Sequence, residues 1–202
     1  MDVTKIRLSQ LEMELVINAE WILTKNSILE KAKQLLGRIQ NLYRERLAVI
    51  PGLPAKVRLS SPKISKGENY RGLPYLVLDY PRCFEKADIF AIRTLFWWGN
   101  FFSITLQLSG SYKKNAEEKI IRSYRSLAEN GYSVCISNDP WQHHFEKDNY
   151  SLLSGIAPVA FAKMIREASF IKLAVKTELQ RWDECEEIFP EYFEQMTELA
   201  SA

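Results

Sequence analysis

At 202 residues, 47% hydrophobic and 26% charged, the chain has globular composition and enough length to bury a sizeable core. A net charge of +2 argues against a dedicated polyanion binder. Three widely spaced cysteines (Cys83, Cys135, Cys185) without a CxxC pair argue against a disulfide framework or a structural zinc site, and fit a reducing compartment.

The stretch "MDVTKIRLSQLEMEL" is charged throughout, so neither a signal peptide nor a membrane anchor is expected, and the location is read as cytoplasmic. Residues 8–24 have a capping-box pattern at Ser9 and Glu12, with Leu8, Leu11, Leu15, Ala19 and Ile22 on one stripe. Ser27 with Glu30 repeats that pattern before a longer helix, whose Ala32, Leu35, Leu36, Ile39 and Tyr43 follow helical spacing. Residues 1–48 are therefore expected to form a helical hairpin packed on the rest. From Pro51 to Pro74 the chain is rich in Pro, Gly and Ser. "KVRLS" (56–60) is its only clear strand candidate, so this connection either holds an edge strand or is a mobile functional loop.

Residues 56–179 form the expected sheet region with inserted helices. Its strand candidates are 73–81, 89–98, 101–109, 132–137 and 169–179, and its helices are 115–130 and 156–168. Residues 181–199 are read as a C-terminal helix that Pro190 kinks or divides. The whole is a single α+β domain with a predominantly antiparallel sheet of about 5–6 strands.

"FWWGNFF" (96–102) places five rings around Gly99-Asn100. A two-residue loop there sets Trp98 opposite Phe101, Trp97 opposite Phe102 and Arg93 opposite Leu106. One hairpin face then carries Arg93, Leu95, Trp97, Phe102, Ile104 and Leu106. The other combines Phe96, Trp98 and Phe101 with Ser103, Thr105 and Gln107. Trp97 and Phe102 are expected to be buried, whereas Trp98 and Phe101 keep an accessible edge. Such a mixed face suits partial helical cover, a homodimer contact or a small-ligand cleft.

Arg93 lies on an apolar face and needs a paired acceptor; Asp79 on the neighbouring strand is the expected partner. With Arg82 the two make a candidate cleft for a small anionic ligand. Lys63, Lys66 and Arg71 in "SPKISKGENYRG" are anion-binding candidates, although the phosphate-loop pattern is missing. His143 and His144 read as surface or turn-edge residues, and no metal site, cofactor or catalytic motif is expected from them. Cys83 is a candidate for a lowered pKa beside Arg82. Residues 38–71 hold eight bases against two acids and residues 177–202 eight acids against one base, and the two regions are expected to neutralise each other.

The function expected from these features is a binding or assembly module, homodimeric through the aromatic sheet face. The alternative is a small-ligand-binding protein or small enzyme with a cleft near Asp79, Arg82 and Arg93. Nucleic acid and membrane are not expected partners.

Overall fold

The computed structural model describes residues 5–201. Its helices are α1 (Gln10–Ile17), α2 (Ala19–Val49), α3 (Ala55–Arg58), α4 (Gly110–Arg122), α5 (Tyr124–Glu129), α6 (Pro158–Glu167) and α7 (Cys185–Leu199). The strands are β1 (Lys63–Tyr70), β2 (Leu73–Phe84), β3 (Ile89–Trp97), β4 (Phe101–Ser109), β5 (Ser133–Cys135), β6 (Tyr150–Leu152) and β7 (Phe170–Glu178). They form one antiparallel sheet in the order β1-β2-β3-β4-β7-β5-β6. The expected α+β class is what the chain adopts, with seven strands among the described residues. No helix among those residues is long and apolar enough to cross a membrane.

One sheet face carries Phe90, Ile92, Phe96, Phe102, Ile104 and Leu106, and these join α2 and α7 in the main core. Ala32, Leu36, Ile39 and Tyr43 recur at three- and four-residue steps along α2 and are all fully buried. Tyr43 stacks on Phe193 at 4.0 Å between ring centroids. Its hydroxyl shares a 2.8 Å hydrogen bond with Thr94, the polar residue in the middle of this face. The charge blocks meet here, through Arg38–Glu186 at 3.2 Å and the Arg46–Glu194 pair.

The hairpin register differs by one residue from the expected one. Trp97 pairs with Phe101, Phe96 with Phe102 and Arg93 with Thr105. Trp98 belongs to the turn, where the Asn100 amide donates to the Trp97 carbonyl and Gly99 sits at φ 70°, a conformation that favours glycine. A one-residue slip exchanges the two faces of a strand. The three-residue loop puts the even-numbered apolar residues of β4 beside those of β3. The two-residue loop would have set them beside Arg93.

Other local expectations gave way to tertiary contacts. Residues 55–58 form α3, because the Arg58 guanidinium donates to the carbonyls of Leu47 and Ile50, near the C-terminal end of α2, while Val57 is fully buried. The edge strand is β1 instead, and Gly67 lets the Tyr75 ring lie across it, where a Cβ would displace that ring. The Ser9–Glu12 capping box forms, but α1 does not fold back on α2, and none of its residues is buried. Asn18 starts α2 well before Ser27 by accepting from the Trp21 amide. Helix α4 begins at Gly110, ahead of Asn115, where Asp88 accepts from the Ser111 amide. Helix α7 runs through Pro190, and the irregular backbone falls at Arg181 in the preceding 3₁₀ turn.

Candidate functional site

Among the described residues, the opposite face of the sheet has no helix over its centre and carries polar residues in register. Reading across the strands, Lys63, Asp79, Arg93, Thr105, Ala174 and Ser133 stand in one row. The adjacent row begins with Arg82, Ala91, Gln107 and Lys172 and ends with the Cys135–Tyr150 pair. Strand alternation thus brings the expected Asp79, Arg82, Arg93, Thr105 and Gln107 to a single face. Arg93 holds Asp79 through two hydrogen bonds, Nε to Oδ1 at 2.7 Å and Nη2 to Oδ2 at 3.3 Å. Both residues are buried, as the pairing argument required.

Segment 139–149 roofs these rows. The Tyr70 hydroxyl accepts from the backbone amides of His143 at 2.8 Å and His144 at 3.1 Å. Lys172 Nζ donates to the Gln142 carbonyl, and the Asn149 side-chain amide donates to the His144 carbonyl. Phe145 stacks on Tyr150 at 4.5 Å and meets Phe101 edge-on at 5.2 Å. At the margin of the roof, Phe84 and Trp141, both exposed, lie 5.9 and 5.6 Å from the Arg93 guanidinium carbon.

Burial beneath this roof shifts the titrating groups. His143 is pushed down to about 3, first by loss of solvent and then by the charges of Arg93 and Lys172. Lys172, 1% exposed, is pushed down to about 8 by burial, with Arg93 adding repulsion. The Tyr150 hydroxyl is raised well above its usual range, again by burial. Gln107 Nε2 is buried without a hydrogen-bond partner among the described residues, and the buried Tyr150 hydroxyl lies beside the Thr105 side chain without a close hydrogen bond to it. Trp97 Nε1, like Gln107 Nε2, is unpartnered at the aromatic end of the face. An unpaired buried donor costs about 1–3 kcal/mol, so each of these groups calls for a partner that the protein does not itself supply.

Beyond Phe84 the face opens into a groove of about 450 Å³, lined in part by Lys56, Ser60, Ser61, Arg82 and Phe84. Arg82 Nε donates to the Ser61 carbonyl at 2.9 Å. Cys83 also borders this groove but is largely buried; burial pushes its thiol up despite Arg82, reversing the expected lowering.

The aromatic residues separate. Trp97 and Phe102 are buried and Trp98 and Phe101 half-buried, as expected, but Trp97 and Phe102 lie on opposite faces. Trp182 covers Phe96 and Phe102, while Tyr70 and Phe145 cover Trp97 and Phe101. The basic candidates do not converge either. Lys63 stands beside Asp79 in register, Lys66 pairs with Glu68 at 2.6 Å, and Arg71 pairs with Glu146.

His143 and His144 are roof residues, His144 buried, contrary to the surface reading. The His144, Glu146 and Asp148 ligand atoms lie within 4.8 Å of one another, but Arg71 competes for the Glu146 carboxylate. Lys172 and Tyr150 were not anticipated as site residues. The available signal was the in-register set Ser103, Thr105 and Gln107, which is too polar for core and too short for a solvated face. Comparison with family models, curated proteins and solved structures finds no match.

Proposed function

We propose that the protein is a binding module for a small anionic ligand, held in the polar layer between the sheet and segment 139–149. The observation that carries this reading is the clustering of the unpartnered Gln107 Nε2 with the Tyr150 hydroxyl, which lies beside Thr105 without a close hydrogen bond, in the row that contains Lys172. A ligand oxygen would satisfy such groups. Charge points the same way: Asp79 offsets Arg93 and His143 is neutral, which leaves Lys172 as the excess positive charge within the buried set. Phe84 and Trp141, whose ring centroids lie 6.1 Å apart, close the layer beside the Arg82 groove, and admission requires these rings to part and the roof to lift from its hydrogen bonds to Tyr70 and Lys172.

Inorganic phosphate, succinate and benzoate, titrated separately in a thermal-shift series at pH 7, test this reading. At least one should raise the melting temperature of the wild type in a saturable way, with no response from Lys172→Met. Because the Lys172 charge is lost as pH rises through about 8, the response should also decline between pH 7 and pH 9. A flat response to all three anions, or an equal response in Lys172→Met, would count against the assignment.

A further inference from the structure

The end of the molecule that begins with α1 has the opposite character from the roofed layer. Leu11, Met13, Leu15, Val16 and Ile17 on α1 are 40–74% exposed. Leu8 precedes them, and Trp21, Ile22 and Leu23 at the start of α2 continue the exposure at 46–66%. At roughly 100 Å² apiece, these nine side chains present on the order of 900 Å² of apolar surface. Spread over several sides of α1, this total is comparable to the ~800 Å² that each partner contributes to a standard interface.

The same chain also carries a receptor of suitable form. Trp21, Lys25 and Ile28 line one groove on α2, together with Trp98 of the hairpin tip. Lys31, Leu35 and Arg38 line a second groove on α2, closed by Trp182. These α2 positions follow one another at three- and four-residue steps, so the grooves share a single flank of the helix. From Trp21 to Arg38 that flank runs for roughly 25 Å, longer than the ~12 Å of an eight-residue helix. Glu20 and Glu186 also line these grooves, Lys25 and Arg38 pair with Glu68 and Glu186, and Lys31 is the further cation of the flank; the charges on α1 are Glu12 and Glu14, with Lys5 and Arg7 just before it. Apolar residues on several sides of α1 suit enclosure in a protein groove better than one-sided adsorption to a lipid surface.

We propose that α1 of one copy docks along the α2 groove of a second copy, and reciprocally, giving a closed two-fold dimer by exchange of arms. Trp98 then takes part in assembly as a wall of this groove. The ligand layer is on the other face of the sheet, so the two proposals stand or fall separately.

Sedimentation velocity of the full chain over a wide concentration range tests it. The wild type should sediment as a dimer. Leu11→Glu with Ile17→Glu should raise the dimer dissociation constant by roughly 100-fold or more, with an unchanged melting temperature for the monomer because no α1 residue is buried. Lys31→Glu, which places like charge opposite the acidic arm, should weaken the dimer without touching α1. A wild type that stays monomeric to its solubility limit would overturn the proposal, as would a dimer that persists in the Leu11→Glu, Ile17→Glu variant. Co-sedimentation of a monomeric wild type with phosphatidylcholine or phosphatidylserine vesicles would assign the arm to membrane and overturn it as well.

Discussion

The helical face of the sheet and the face beneath segment 139–149 are built from the same central strands, yet they bury opposite chemistry. On the helical face, Phe90, Ile92, Ile104 and Leu106 are fully buried, and the hydroxyls of Thr94 and Tyr43 satisfy one another. On the roofed face, Asp79, Arg93, Gln107 and Lys172 are buried too, but the Gln107 amide nitrogen has no partner among the described residues. The difference separates what holds the fold from what the fold holds. Apolar area and complete hydrogen bonding stabilise the first face. The second tolerates desolvated charge and unpaired donors, a cost that natural structures retain chiefly at functional positions.

Truncation on each face should expose this contrast. Phe102→Ala on the helical face is expected to cost about 3–5 kcal/mol in denaturant unfolding, with no neighbouring substitution able to recover it, because the loss is packing and cavity. Arg93→Met on the roofed face is expected to cost a comparable ~3–5 kcal/mol by leaving Asp79 buried without its partner. Here a second change should rescue: Arg93→Met with Asp79→Leu is expected within about 1 kcal/mol of the wild type. If the double variant is as unstable as the single, the ion pair is not the source of the loss.

A smaller effect should appear with pH. The His143 pKa lies near 3 in the folded protein against 6.5 for the free side chain, so the unfolded chain takes up a proton first as the solution is acidified. His143 therefore contributes stability that is present above pH 6.5 and is lost progressively as pH falls toward 3. Between pH 7 and pH 4.5 the loss is on the order of 2–3 kcal/mol. The His143→Gln variant should lose less stability than the wild type over that interval by about this amount. Parallel pH profiles for the two proteins would show that His143 is not desolvated in the folded state.

Much of the helical face was legible because alternation and helical spacing are local signals, as the 73–81 strand and the Ala32–Tyr43 stripe show. The Asp79–Arg93 pair was legible too, since neighbouring strands and a charge on an apolar face left few acceptors. The hairpin register was not. Gly99-Asn100 admits either loop length, and the choice was made by burial of Phe102, Ile104 and Leu106 under α2 and α7. Lys172 alternates with Ile171 and Leu173 in the local sequence, the pattern of a solvent-facing strand position. Only the insertion of β7 between β4 and β5, and the return of 139–149 over it, makes it a buried cation, and neither event leaves a local pattern. Residues 8–24 showed the converse, with a sound capping signal and an apolar stripe that the chain itself does not cover.

The central claim, that the roofed layer is built for a ligand and not for stability, is tested most directly at Gln107, which is 1% exposed and whose amide nitrogen has no partner. Gln107→Leu removes the unpaired donor at similar volume, so melting temperature without ligand should stay level or rise, a change within about 1 kcal/mol. The same variant should lose the thermal shift that an anion produces in the wild type. A Gln107→Leu protein that is clearly destabilised while its anion response is intact would contradict the account, because Gln107 would then be serving the fold.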